Sequence, residues 1–209
     1  MRRRIIILML GVLLSCGGLV QAEPITIQIT GNVTSVGGYT QAIPDTIHAD
    51  VTFTGTYTYD SLTDDSGGGH YVHDAPYGIT LSLGGYEFKT APNHVGQFDM
   101  RIGNDQVGNG IYDIYSVNSY QNVSIPSVDF AYSIEWKLMD YTHAAFSSGD
   151  LPVAAPVLTD WDYNIFKIHG VYGPDLTGLT IYGTVTQVVP EPVTGILMAI
   201  GVFLLRRRR

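Results

Sequence analysis

The side chains able to do chemistry sit in a few places. Between residues 60 and 76 the chain places carboxylates at Asp60, Asp64, Asp65 and Asp74 around three successive glycines, Gly67, Gly68 and Gly69. Carboxylates are the hard oxygen ligands that Ca²⁺ takes, and glycines let backbone carbonyls turn inward. This acidic loop is the candidate metal site and Ca²⁺ the candidate ion, although the spacing is not that of an EF-hand. His70 and His73, with Asp74, form an alternative ligand set suited to Zn²⁺. Glu87, Asp99 and Glu135 supply the carboxylates a glycosidase needs as a pair, which must lie about 5–9.5 Å apart. No G-x-S-x-G elbow, phosphate-cradling loop or mature-domain cysteine is present, so no catalytic residue is assigned and the expectation is a protein that is not an enzyme.

Binding has more to work with. The chain has 14 tyrosines, 7 phenylalanines and 2 tryptophans, and aromatic faces stack well on sugar rings. Trp161, flanked by Asp160 and Asp162 in a stretch without periodicity, is the candidate ligand contact; Tyr112, Tyr115, Tyr120 and Tyr172 are further candidates. Trp136 lies on an apolar phase and is expected in the core. Thr52, Thr54, Thr56 and Thr58 make a hydroxyl–methyl row on one strand face, of the kind an ice-binding surface uses.

These residues must be held by β-structure, because period-two alternation recurs along the chain and helical periodicity is nearly absent outside the two ends. Strands are expected at 25–33, 47–59, 98–102, 111–117, 128–138, 163–171 and 179–189, the last with Leu179, Ile181, Val185 and Val189 on its apolar face. A hairpin is expected over 77–89, turning at Gly84 and Gly85. Gly55 marks a bulge or a close backbone approach. Residues 60–76 read as a long loop, and 140–162 as an irregular excursion with one helical turn near 142–147. About nine strands without crossover helices predict an all-β fold, an antiparallel β-sandwich of jelly-roll-like or immunoglobulin-like type.

The ends differ in kind. Arg2, Arg3 and Arg4 followed by an apolar run over 5–14 are the layout of a secretory signal peptide. Two processing routes remain open: cleavage after Ala22, with Val20 and Ala22 in the small-residue positions, or lipidation at Cys16 within Leu13, Leu14, Ser15 and Cys16. Cys16 is the one cysteine in the chain, so the mature domain has no disulfide. At the other end comes an uncharged apolar run, 193–205. At ~1.5 Å per helical residue it reaches about 20 Å, short of a ~30 Å hydrocarbon core. Arg206, Arg207, Arg208 and Arg209 follow and resist translocation, leaving the domain outside the cytoplasm. Pro190 and Pro192 restrict the backbone around Glu191, so this tripeptide is expected to stay extended and to join neither the preceding strand nor the following helix. The domain organisation is therefore a signal peptide at 1–22, a β domain at 23–189 and a tail at 190–209.

Formal charge is −8, yet seven of the eleven basic residues lie in the two ends. Lys89, Arg101, Lys137 and Lys167 alone face nineteen acidic residues between Glu23 and Glu191, a net of −15. Such a surface repels phosphate backbones and anionic head groups and excludes nucleic acid as a partner.

The ordered succession of Pro190-Glu191-Pro192, short apolar segment and arginine cluster resembles the PEP-CTERM sorting signal of Gram-negative bacteria that make extracellular polysaccharide. The resemblance covers about a tenth of the chain. It implies export through the inner membrane, a transient membrane anchorage by a short transmembrane helix, and a cut near the tripeptide by an exosortase, a membrane transpeptidase-like cysteine protease. A permanent tail anchor is the alternative. The segment 55–69, GTYTYDSLTDDSGGG, also looks like a stretch common in PEP-CTERM proteins, which implies a β-sandwich and carries over no catalytic residue. The implied partners are exosortase, signal peptidase and exopolysaccharide. The implied place is the cell surface or the extracellular biofilm matrix, in a structural or adhesive role; the acidic, aromatic-rich composition adds the expectation that glycan is held by stacking and cation bridging. A secreted carbohydrate-active enzyme and an ice- or glycan-binding module are the alternatives.

Overall fold

The computed structural model describes residues 24–38, 43–108, 110–125, 130–172 and 177–191. The signal peptide, Pro192, the apolar run and Arg206–Arg209 lie outside them. Ten strands follow in order: β1 (Pro24–Gly38), β2 (Thr52–Asp60), β3 (His70–His73), β4 (Gly78–Leu83), β5 (Tyr86–Lys89), β6 (Phe98–Gly108), β7 (Gly110–Ser119), β8 (Phe130–Asp140), β9 (Tyr163–Tyr172) and β10 (Thr177–Pro190). The one helical element among the described residues is a 3-10 turn, Leu158–Asp160.

The all-β antiparallel expectation holds, but hydrogen bonding joins the ten strands into one sheet, not two, in the order β3-β6-β7-β8-β9-β10-β1-β2-β4-β5. The sheet curls until its ends face each other across a common core. Tyr57 on β2 and Tyr115 on β7, with four strands between them, share a hydroxyl–hydroxyl bond of 2.6 Å. Phe53 on β2 stacks on Phe166 of β9 at 4.4 Å, and Phe88 on β5 meets Tyr132 of β8 edge-on at 5.3 Å. Bulges help the curl, because each inserts an extra residue and increases local twist. They interrupt β1–β10 at Thr30/Gly31 and Val33/Ser35, and β6–β7 at Gly103/Gln106.

The inward phase follows the alternation. Ile27, Ile29, Phe53, Tyr57, Tyr59, Ile79, Leu81, Phe98, Met100, Ile102, Ile134, Trp136 and Leu138 are all buried. Gly84 and Gly85 turn the β4–β5 hairpin at φ +59° and +85°, a backbone state that glycine adopts without cost. Gly55 is a close approach and not a bulge: a Cβ there would lie 2.4 Å from the Thr80 carbonyl oxygen, while both of its ladders run without a register shift.

Several expectations are corrected. The loop 60–76 contains β3, a four-residue strand paired with β6, too short and too histidine-rich for alternation to reveal. β2 starts at Thr52 and not at 47, and β6 continues through Gly103 by way of its bulge instead of stopping there. Residues 142–147 form bends and no helical turn. Val188, not Val189, packs toward the core, because the bulge leaves Thr186 unpaired and shifts the phase by one residue. Finally, Pro190 does join the strand upstream: it is paired with Ile27, and the Glu191 N–H donates to the Thr26 carbonyl at 3.0 Å. Proline is tolerated there because β10 pairs with β9 only as far as Gly183, so residues 184–190 have a partner strand on the β1 side alone.

Candidate binding groove and the fate of the expected site residues

The acidic loop does not assemble a metal shell. Asp65 accepts from the backbone N–H groups of Gly67 at 2.8 Å, Gly69 at 3.1 Å and His70 at 2.9 Å. These bonds, that of Gly67 foremost, hold its carboxyl below the ordinary range. Asp60 accepts from Leu62 N–H at 2.9 Å, Asp74 from Gly96 N–H at 2.7 Å, and Asp64 stands exposed. Asp60 and Asp65 each close their own turn, an Asx-type use that competes with metal ligation, while Asp74 ties its loop to the segment before β6. Nor do His70 and His73 form a pair. Three residues apart on one strand, they face opposite ways: His73 is buried with its ring nitrogens against the carbonyls of Tyr71 and Asp60, and His70 lies on the outer face.

Among the described residues, the one set of three ligand-type side chains whose atoms lie within 4.8 Å is Asp105, Asp113 and His143. Both oxygens of the buried Asp113 already accept, from the N–H groups of Asp105 and Phe146, each at 2.9 Å. Asp113 thus pins the β6 bulge to the loop after β8. Its register partner Asp140, also buried, does the same from the next strand, accepting from Thr142 N–H and Oγ1, Ala144 N–H and Ala145 N–H at 2.7–2.9 Å. Burial alone would raise the Asp140 carboxyl, but these donors outweigh it and bring it down to about 2. Neither aspartate was expected. Both fall on the inward phase of an apolar strand, which is the signal for them.

Trp161 is not an open contact surface. It packs half-buried against the core, edge-on to Phe146 at 5.2 Å and to Tyr115 at 6.4 Å. Trp136 is buried as expected, its indole N–H donating to Asn164 Oδ1 at 3.1 Å. Of the candidate tyrosines, Tyr115 is core, Tyr112 leans on Tyr141, and Tyr120 is exposed. The side chain of Tyr172 lies outside the described set.

What the fold does assemble is a groove of about 510 Å³ on the outer face of β6, β7 and β8. Register explains its lining. One row across the sheet is Asp99–Asn118–Glu135 and the next is Arg101–Ser116–Lys137. Tyr120 and Gln106 mark opposite ends, and His70 with Gly67 and Gly68 forms a rim. Asn118 Nδ2 donates to Asp99 Oδ1 at 2.8 Å and to Ser116 Oγ at 3.0 Å. Glu135 receives Lys137 at 2.6 Å and Lys167 at 3.3 Å. Burial pushes the Glu135 carboxyl up, but the two lysines prevail and hold it below the ordinary range. Desolvation, then the charge of Asp99, pushes the Tyr120 phenol up to about 12.

Of the three glycosidase candidates, Asp99 and Glu135 share this groove, two strands apart and so about 10 Å between Cα atoms. Glu87 sits on β5, paired with Lys89. Arg101, Ser116, Asn118 and Lys137 were not anticipated: each lies on an outward phase, and only the order of strands brings them together.

Fold and site define an antiparallel β domain, a single curled sheet with a polar groove on one outer face. Compared with protein-family profiles, with curated proteins and with solved structures, the chain matches none.

Proposed function

We propose that this is an exported surface or matrix protein of structural, adhesive type, carried out by its N-terminal signal and processed at its C-terminal tail by an exosortase. The curled sheet, with two portions facing across one core, is the sandwich-like body that such a tail delivers. The observation that carries the reading is the pairing of the first strand with the last. β1 and β10 are antiparallel neighbours, and Glu191 bonds to Thr26. Pro24 and Glu191, the described residues nearest the two arginine-marked apolar ends, therefore lie at the same pole, which suits a domain hung from a membrane.

In this role the groove holds exopolysaccharide without turning it over. Glu135, held below the ordinary carboxyl range by two lysines, is poorly suited to the general-acid role in cleaving a glycosidic bond. Acceptors and donors on a sheet face suit sugar hydroxyls, and the exposed Tyr120 offers a ring to stack on.

Intact-mass analysis of the protein isolated from its own host tests the sorting reading. The expected mass lacks both the signal segment and residues 193–209. Mature material that retains residues 193–209 would overturn it.

A further inference from the structure

We propose that the groove over β6–β8 takes a carboxylate-bearing sugar, a uronate unit of an acidic glycan, with the Arg101 guanidinium as the carboxylate's partner. The inference rests on the reading of the groove as a glycan site and adds the charge of its ligand.

The placement of cations is the first argument. The domain's surplus of acid repels anions over most of its surface, and only four basic side chains oppose it. Lys89 is spent on Glu87 on β5. The other three gather here: Arg101 and Lys137 line the groove, and Lys167 is the register partner of Glu135. Among the described residues, this face is where basic side chains gather for an approaching anion.

The pairing within the groove is the second. Lys137 and Lys167 are both committed to Glu135. Arg101 is exposed, and its guanidinium makes one long bond, Nη2 to Gln106 Oε1 at 3.5 Å, with no carboxylate partner among the described residues. An arginine left without a counter-ion in so acidic a domain is a planar fork available to an external carboxylate, which it can grip by two parallel N–H···O bonds.

The third argument is what lies beside it. Ser116, directly across the ladder from Arg101, is small and buried. Its Oγ accepts from Asn118, leaving its own O–H to donate toward the same carboxylate. In the adjoining row Asn118 has used its N–H₂ on Asp99 and Ser116, which leaves its carbonyl oxygen as an acceptor, while Asp99 Oδ2 lies 3.6 Å from His70 Nε2 at the rim. Acceptors next to a carboxylate site require a ligand that brings hydroxyl donors with its charge, which a uronate does. A polyphosphate or an acidic peptide brings charge without those hydroxyls.

The test is affinity electrophoresis and calorimetry of the protein as secreted by its host, with polygalacturonate, with a neutral glucan and with polyglutamate, each in EDTA. The expected result is retention by polygalacturonate alone, weakening with salt, reduced about tenfold or more in Arg101→Gln and partly recovered in Arg101→Lys, which keeps charge but loses the fork. Lys89→Gln should bind as the parent does. Because Arg101 is exposed, unchanged melting temperatures would show the variants folded. Retention by the neutral glucan alone would overturn the uronate proposal while leaving the glycan reading standing. Retention by none of the probes would overturn both. Equal retention by polyglutamate, or binding that is indifferent to Arg101→Gln, would overturn the assignment of Arg101.

Discussion

The bond between Tyr57 and Tyr115 gives the sharpest check on the curl of the sheet. Both phenols are fully buried, their oxygens lie 2.6 Å apart, and among the described residues no other partner serves either hydroxyl. Tyr57→Phe removes the bond and strands the Tyr115 hydroxyl in an apolar core, at about 1–3 kcal/mol; Tyr115→Phe does the reverse at similar cost. Replacing both leaves no orphan, so the double variant should be destabilised by less than either single one, a non-additivity of about 2 kcal/mol or more. For a domain of this size 1 kcal/mol is about 2–4 °C in Tm, so calorimetry and urea titration resolve it. The pH dependence adds a second readout. Burial, the largest cause, pushes both phenols well above their usual value. A group whose acid strength falls on folding contributes stability that is whole below its unfolded value, about pH 10, and lost as pH rises beyond it. The double variant should therefore lose stability less steeply above pH 10. Strictly additive single losses would refute the buried bond, and with it the contact between β2 and β7.

Two further outcomes follow from buried or zipped polar groups. Asp140→Asn should cost about 2 kcal/mol at neutral pH, since its carboxylate receives four donors. Its carboxyl is lowered to about 2, so the parent should lose stability as pH falls from about 4 toward 2 and the variant should lose less, as acid titration followed by near-UV circular dichroism will report. At the tail, Gln28 Nε2 donates to Glu191 Oε1 at 3.0 Å. Gln28→Ala should raise the population of the freed tripeptide and its processing rate a few-fold, by removing a bond worth about 1 kcal/mol, as pulse-chase in the host would measure; an unchanged rate means that the motif is taken without unzipping.

Strand existence and facing were legible wherever alternation ran for five residues or more, as in β8, where Tyr132, Ile134, Trp136 and Leu138 are buried in turn. Alternation failed where the period itself broke. At Thr186 one unpaired residue exchanged the roles of Val188 and Val189, and at Gly103 a bulge looked like a strand end. β3 was hidden because a four-residue strand carries only two periods of pattern, and its two histidines looked like ligands until their opposite facing was known. Single-residue chemistry was the least legible. Asp65 resembles a Ca²⁺ ligand in sequence, yet it satisfies three backbone amides that the glycine turn would otherwise leave bare.

The groove shows why a site can escape a reader who has every strand right. Asp99 and Arg101, Ser116 and Asn118, Glu135 and Lys137 are three ordinary outward pairs on three strands, each indistinguishable from solvated surface. They become one surface because β6, β7 and β8 are consecutive in the sheet as well as in the chain, with registers that align Asp99 with Asn118 and Asn118 with Glu135. A slip of one residue in either ladder would face these side chains into the core and expose Met100 and Val117 instead. The core alternation that holds Met100, Val117 and Trp136 inward is thus what keeps Arg101 outward, and the binding face and the hydrophobic core are specified by the same register.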